Sequence, residues 1–422
     1  MAGISGGGVS LTEDLMESIL LRLPTASCIA RFRCVCRSWR VLLSDPQFIL
    51  KILFSPNNSD DESSLQILIT AGGDAATPYE IRRHRYSLLS YETLRPISAP
   101  NAEGDLPSDR LPCPSAIVAG CCDGIFCIVE FDPYMKGGPG VILWNPATSE
   151  TKVLPASTAV PQRTLFPHQH ITGFGFDPQT NDYKVARMLY FGDACDDVDD
   201  DGLPAETLTT LIYAEVFSLR NGSWKSLTIN GDLIPYLGYG GSYVHPQQQP
   251  DNHNNSQNQR RRDCYWFYAE SGVCFTLRFD MTEEGFESTF ITLPPPLRGK
   301  GLASIGCFVM KDSLHTMFHD CSGDCENYSV WCMLKQEVAE SWIRLYTFTS
   351  HAWFVEILQV WKEDRYIGSV SSQPHEAGEK DGVYIFSPST GKNGDRVEVQ
   401  GRTHPFQAHI FTPTQVSLSD FV

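Results

Sequence analysis

Val141-Ile142-Leu143-Trp144-Asn145-Pro146 runs apolar into an aromatic and then breaks. A short unbroken apolar run suits a strand covered on both faces, and Asn-Pro supplies the turn that ends it. The same form recurs at Tyr86–Tyr91, Ala214–Phe217, Phe275–Phe279, Tyr328–Trp331 and Val383–Phe386. With the closing aromatics Tyr91, Trp144, Phe217, Phe279, Trp331 and Phe386 as anchors, the intervals are 53, 73, 62, 52 and 55 residues. A period near 53 is what a four-stranded blade of the kelch type needs. The spacing therefore predicts an all-β body, a six-bladed kelch-like β-propeller over 86–418, with linker and first strands in 54–85. The two long intervals hold the acidic stretch Asp193–Glu206 and the Gln-, Asn- and Arg-rich stretch His245–Arg262, both expected as surface insertions. Turns at Gly124, Ser313 and Asp364 precede their anchors by 20, 18 and 22 residues, which fits two hairpins per blade. A pair of β-sandwiches is the competing reading of the same strands.

The rest of the composition narrows the function classes. The chain has 422 residues, 42% hydrophobic and 20% charged, which excludes wholesale disorder, collagen and coiled coil. Lys and Arg number 33 and Asp and Glu 50, so the net charge is 33 − 50 = −17. A chain this acidic repels phosphate backbones, and no nucleic-acid partner is expected. No run approaches the roughly 18 apolar residues of a membrane helix, so no membrane partner is expected either. Residues 1–10 lack the charged and apolar segments of a secretory signal. The expected location is cytoplasmic, nuclear or both. The 14 cysteines sit mostly in apolar runs such as Gly120–Val129 and read as reduced, small hydrophobes.

Helical periodicity is confined to the first 50 residues. Thr12 can cap a helix whose first turn carries Glu13 and Asp14, where the helix dipole favours negative charge. Leu15, Ile19, Leu20 and Leu23 follow at helical spacing, and Pro24 stops the run. A second helix is expected from Ser27, with Ile29, Phe32, Cys36, Trp39 and Leu43 as its apolar stripe and Arg31, Arg33, Arg37 and Arg40 largely elsewhere. A few short helices bury too little surface to be stable alone, so this small all-α head should pack on a partner or on its own body.

Leu11-Thr12-Glu13-Asp14-Leu15, Leu23-Pro24, Arg31-Phe32-Arg33-Cys34-Val35-Cys36-Arg37-Ser38-Trp39 and Asp45-Pro46 with Phe48 resemble the F-box of plant F-box proteins. Thr12 stands where that family usually has Pro, and six residues, 25–30, separate Leu-Pro from Arg-Phe where five are usual. The resemblance implies an F-box over 11–53 that docks on a Skp-type adaptor, and through it on a cullin and a RING subunit, in an SCF ubiquitin ligase. The contact residues it implies are Leu11, Leu15, Ile19, Leu23, Pro24, Val35 and Trp39. In the body, Trp144-Asn145-Pro146-Ala147-Thr148, Gly173-Phe174-Gly175-Phe176-Asp177-Pro178 with Asp182-Tyr183-Lys184, and Phe217 to Trp224 are similar to the F-box associated domain. That domain implies a kelch-like module that binds a protein substrate.

No Gly-x-Ser-x-Gly, phosphate loop or His-Glu-x-x-His is present, so a non-catalytic substrate adaptor is expected, with no cofactor and no metal. Asp197 to Gly202 begins like a calcium loop, but its twelfth position is Leu208 and Pro204 lies within it. His315, His319, Cys321 and Cys325 are zinc-type ligands, yet both histidines fall at even spacing on a strand, and a hairpin tip is the plainer reading. Residues 11–50 carry five Arg and four acids, net +1, so the remainder carries −17 − 1 = −18, which favours a basic substrate. Two alternatives share these features: an S-locus-type F-box protein recognising basic ribonucleases, and a propeller scaffold that joins no ligase.

Overall fold

The computed structural model describes residues 13–20, 32, 34–43, 45 and 48 of the head. In the body it describes 64–72, 84–99, 101–107, 116–130, 140–157, 167–191, 211–229, 263–270, 273–291, 293–294, 297, 302–310, 313–320, 327–333, 342–349, 354–362, 365–371, 381–387, 392–400 and 403–421.

The body is a β-propeller of antiparallel sheets met in chain order. Sheet 1 holds β1 (Gln66–Gly72), β2 (His84–Ser90) and β3 (Glu103–Asp105), and, from the far end of the chain, β23 (Thr403–Phe411), in the order β23-β1-β2-β3. Sheet 2 is β4 (Ala116–Cys122), β5 (Ile125–Glu130), β6 (Gly140–Asn145) and β7 (Glu150–Val153). Sheet 3 is β8 (Pro167–Asp177), β9 (Asp182–Phe191), β10 (Leu211–Ser218) and β11 (Ser223–Leu227). Sheet 4 shows β12 (Cys264–Glu270), β13 (Val273–Asp280) and β14 (Gly285–Ile291). Sheet 5 is β15 (Leu302–Met310), β16 (Ser313–Asp320), β17 (Asn327–Met333) and β18 (Trp342–Thr349). Sheet 6 is β19 (Phe354–Lys362), β20 (Arg365–Ser371), β21 (Gly382–Ser387) and β22 (Lys392–Val397).

Contacts run from β23 to β4, then to β8, β12, β15 and β19, and back to β23, so the sheets close on themselves. Apolar clusters fill the spaces between neighbours. Val129, Val141, Phe174 and Phe217 join sheets 2 and 3, while Met188, Val216, Cys264 and Trp266 join sheets 3 and 4. Because each sheet has a neighbour on both faces, strands near its inner edge are buried along almost their whole length, as in β1 and β5. Outer strand β7 alternates between half-buried and exposed, and β11 mixes the two with no residue fully buried. This explains why inner strands read as unbroken apolar runs.

Trp144, Phe217, Trp331 and Phe386 all lie on the third strand of their sheet, counted from the inner edge, and Tyr91 lies one residue past β2. Phe279 is on β13, the second of three described strands in sheet 4. Four repeats thus set the anchor aromatic on the third strand, while the equal spacing expected of Phe279 and Tyr91 does not carry them to an equivalent strand position. Trp144 meets Tyr86 of sheet 1 at 4.7 Å between ring centroids. Tyr91 donates its hydroxyl to the Trp361 carbonyl (2.5 Å) and receives the Trp361 indole N–H on its own carbonyl (2.6 Å), a reciprocal link between sheets 1 and 6. The expected insertions at Asp193–Glu206 and His245–Arg262 lie outside the described residues.

Closure uses both ends of the body. β23 pairs with β1 from Gln66↔Phe411 to Gly72↔Thr403. At the next seam the side chain of Gln407 behaves like a peptide group: its Oε1 accepts from Val118 N (2.8 Å) and its Nε2 donates to Val118 O (3.1 Å). Residues 412–421 then cross sheet 2 as a strap. Asn145 Nδ2 donates to the carbonyls of Thr414 (3.2 Å) and Val416 (2.9 Å). Glu150 accepts from the Ser417 hydroxyl (2.9 Å) and the Leu418 amide (2.7 Å), Lys152 donates to the Phe421 carbonyl, and Leu418 is buried.

The head differs from the expectation in one respect. It contains α1 (Glu13–Leu20) and α2 (Arg37–Leu42), but no continuous helix links Phe32 to Leu43. Cys34 and Val35 form a turn, and Cys36 caps α2 in an extended conformation with φ −155°. Three weak helix formers in succession, one of them β-branched, account for the break. Cys34 and Cys36 are consequently exposed, not the core hydrophobes expected of cysteine here.

Candidate functional site

The head sorts its apolar residues into two sets. Leu15 and Ile19, one turn apart on α1, are 49% and 42% exposed, and Val35 in the turn is 59% exposed. On the other side Leu20, Leu43 and Phe48 are buried and continue into the apolar cluster of sheets 5 and 6, with Phe32, Trp39 and Leu42 packed against it. Trp39 serves the interior of the head: its indole N–H donates to Met16 Sδ at 3.1 Å and its ring lies 5.2 Å from Phe32. Of the seven contact residues expected from the sequence, the structure thus brings Leu15, Ile19 and Val35 to the surface and leaves Trp39 half-buried beneath them. Leu11, Leu23 and Pro24 lie outside the described residues.

Sequence reasoning missed Val41, which is 73% exposed on α2 between the exposed Arg40 and the half-buried Leu42. It stands off the stripe from Phe32 to Leu43, so periodicity gave it no weight. Leu15, Ile19, Val35 and Val41 give the head the exposed aliphatic residues that protein contacts use. Arg37 and Arg40 are exposed beside them and add positive charge.

The body motifs resolve into structural roles. Asp177 and Lys184 form a buried ion pair at 2.8 Å, and Lys184 also reaches Glu284 (2.8 Å) and the Met281 carbonyl (2.9 Å) of sheet 4. Desolvation alone would raise the Asp177 carboxyl; Lys184, the Thr180 hydroxyl and the Gln179 amide outweigh it together and hold it at about 2. Asp182 accepts from the Ser218 hydroxyl (2.5 Å) and the Arg220 amide (2.8 Å), which fixes the β10–β11 turn where Gly222 takes φ +64°. Tyr183 donates to Asp123 of sheet 2 at 2.7 Å. Arg187 pairs with Glu215 at 2.5 Å in the core, its guanidinium 4.1 Å from the Trp224 ring.

Only the two histidines of the zinc lookalike lie among the described residues. Burial pushes His315 down to about 3, and His319 stacks on Tyr328 at 4.8 Å, while Cys321 and Cys325 lie outside the described residues. The calcium lookalike at Asp197 also lies outside them. Among the described residues no group of three or more metal-ligating side chains occurs, and no helix is long and apolar enough to cross a membrane. Burial pushes the thiols of Cys127 and Cys264 up, which leaves them poor nucleophiles.

Comparison with known proteins finds two families along the chain. The F-box domain matches residues 9–51, and the F-box associated beta propeller domain matches 101–386. The F-box/kelch-repeat protein At3g23880 of Arabidopsis thaliana is 26% identical over 83% of this chain and 83% of its own length. The F-box protein CPR1 of the same plant is 25% identical over 80% of this chain and 73% of its own. A third Arabidopsis thaliana F-box protein, At3g16210, is 27% identical over 70% of this chain, which spans 63% of that relative.

Proposed function

The chain belongs to the F-box proteins with an F-box associated beta propeller domain, and on that premise we propose that it is the substrate-recognition subunit of an SCF-type ubiquitin ligase. In this reading residues 11–53 hold a Skp-type adaptor, and cullin and RING subunit join through it. Residues 54–85 hold the linker and the first strands of the propeller, β1 among them, and the body they open, through 418, presents a protein substrate for ubiquitination and proteasomal degradation. We read the sheets as six kelch-like blades, each a rigid wall that carries loops. The chain itself contributes no bond-making step; it raises the effective concentration of substrate beside the charged ubiquitin enzyme. The reading places it in the cytoplasm, the nucleus or both.

One observation carries the proposal. Leu15, Ile19 and Val35 stay exposed while Leu20, Leu43 and Phe48 are buried, so the head anchors itself with one apolar set and offers another. Substituting Trp39 tests this poorly, because the ring packs inside the head. Leu15→Glu with Ile19→Glu is the better probe, since both sites face solvent. The double variant should keep the fold by far-UV circular dichroism and lose co-purification with adaptor and cullin. Retention of both subunits at wild-type level would remove the proposed interface.

A further inference from the structure

The strap over sheet 2 is held largely by its backbone. Asn145 binds the carbonyls of Thr414 and Val416, Lys152 binds that of Phe421, and Glu150 accepts the Leu418 amide. Val416, Leu418 and Phe421 add an apolar side that joins the cluster between sheets 2 and 3, where the Phe421 ring lies 5.4 Å from that of Tyr183. Entry to this path is tight. A Cβ at Gly124, in the β4–β5 hairpin, would lie 2.6 Å from the Thr412 carbonyl oxygen.

Ser417 adds a side-chain bond at the middle of the strap. Its hydroxyl donates to Glu150 Oε1 at 2.9 Å, lies 2.6 Å from the Ser419 hydroxyl, and accepts from the Ser419 amide at 3.2 Å, capping the short turn Leu418–Asp420. One carboxylate therefore takes both the Ser417 hydroxyl and the following amide. An ionised carboxylate only accepts, so it welcomes donors and repels a second anion. Ser417 and Glu150 are half-buried, and Ser419 is exposed. In the sequence Asp420 follows Ser417 by three residues, and no Lys or Arg occurs from 403 to 421. That pattern fits a kinase that reads acidic rather than basic residues beside its target hydroxyl.

We propose that Ser417 is a phosphorylation site for an acid-directed protein serine kinase, and that its phosphate bars the strap from docking again on sheet 2. The Ser417 oxygen bonds to the γ-phosphorus of ATP, the bond from that phosphorus to the ADP oxygen breaks, and the hydroxyl proton passes to the kinase's base. The docked strap holds the hydroxyl against Glu150, so transfer takes place during local opening of 412–421. Afterwards the donor to Glu150 is gone, and a group of about −1.5 to −2 charge faces that carboxylate. Among the described residues Lys152 is the cation bonded to the strap, and the Phe421 carbonyl engages it. Release uncovers the Tyr183 ring at the edge of sheet 3. The head packs on sheets 5 and 6, so this inference goes beyond the receptor reading and does not rest on it.

The test uses the full chain in two arms. In the first, radiolabelled ATP and a casein-type acidophilic kinase are added, and mass spectrometry locates the phosphate. Wild type should take label at Ser417, Ser417→Ala should lose it, and Glu150→Ala should take it at least about tenfold faster, because its strap opens more readily. Label at Ser419 alone, or none at Ser417 even in Glu150→Ala, would remove the site. In the second arm phosphoserine is installed at 417 by codon suppression. Limited proteolysis within 412–421 should then run at least about tenfold faster than in the unmodified chain, while melting shifts little. In Glu150→Gln the neutral amide can donate to the phosphate, so there the modification should change the rate by less than about twofold. Protection equal to or above that of the unmodified chain would show that Lys152 takes the phosphate and would refute release. Equal release in the wild-type and Glu150→Gln backgrounds would refute repulsion by Glu150 as its cause. Co-purification with adaptor and cullin reports on the receptor reading alone, so either idea can fail without the other.

Discussion

The Gln407 side chain offers the sharpest test of how the propeller closes. Its amide donates to and accepts from the backbone of Val118, buried at the edge of β4, and its oxygen also accepts a long bond from the Thr70 hydroxyl at 3.5 Å. Gln407→Met keeps the length and loses both bonds to Val118, which leaves a buried N–H and a buried carbonyl without their partner. At about 1–2 kcal/mol for each orphaned group, the cost should be about 3 kcal/mol. With an unfolding entropy of about 2.1 cal/mol/K per residue over roughly 350 body residues, that is about 4 °C in melting temperature. Gln407→Glu separates the two bonds. The ionised carboxylate can still accept from Val118 N but faces the Val118 carbonyl with a second negative oxygen, so near neutral pH it should cost at least as much as Met. When protonated, the acid regains a donor and mimics the amide. Its folded pKa is therefore raised above the unfolded value of about 4.3, and the variant should recover stability relative to wild type as the pH falls toward 5. Urea unfolding followed by tryptophan fluorescence at pH 7.5 and pH 5 reads both effects. A Glu variant no less stable than wild type at pH 7.5, or a Met variant within about 0.5 kcal/mol of it, would refute the claim that this amide closes the seam.

Three further outcomes follow from the packing. A Cβ at Gly173 would lie 2.6 Å from Cys264 Sγ and 2.7 Å from Trp266 Cζ2, so Gly173→Ala should cost about 1–3 kcal/mol, and adding Cys264→Gly should recover part of it in a double-mutant cycle. Asp177 is held from its ordinary 3.8 down to about 2, so its stabilisation is complete above pH 4 and is lost as the pH falls through 2. Wild type should therefore shed about 2 kcal/mol between pH 5 and pH 2 that Asp177→Asn does not, as acid titrations of denaturant midpoints would show. Glu150→Ala removes the acceptor of Ser417 and Leu418, and limited proteolysis should then cut within 412–421 much faster than in wild type while melting shifts little.

The parts of the fold that were legible in the chain are those that each repeat imposes on itself. Trp144, Phe217, Trp331 and Phe386 sit on equivalent strands of four sheets, each packing an aromatic from its third strand, and that shared need appears in the sequence as a period. The turns at Asn145 and Asp177 were legible because each side chain accepts from a backbone amide two residues on, at 3.0 and 2.9 Å. Gln407 with Val118 and Glu150 with Leu418 were not, since partners 289 and 268 residues apart leave no local trace. In the head, amphipathic spacing found Leu15 and Ile19 but could not tell them from Leu20. Which apolar residue is buried was decided by sheets 5 and 6, far along the chain. The stripe through Cys36 failed for the opposite reason: the pattern was helical, but the local residues were not helix formers.

The pairing of β1 with β23 also fixes an order of events during synthesis. Thr70 and Gln407, which meet across it, are separated by 337 residues. At about 5–20 residues per second a ribosome needs roughly 20 to 70 seconds to supply the second after the first. Throughout that interval the inner edge of β1 has no mate, and the nascent body is an open arc. The head emerges long before the arc can shut, so that edge of β1 stays open to pairing until Thr403–Phe411 has been made.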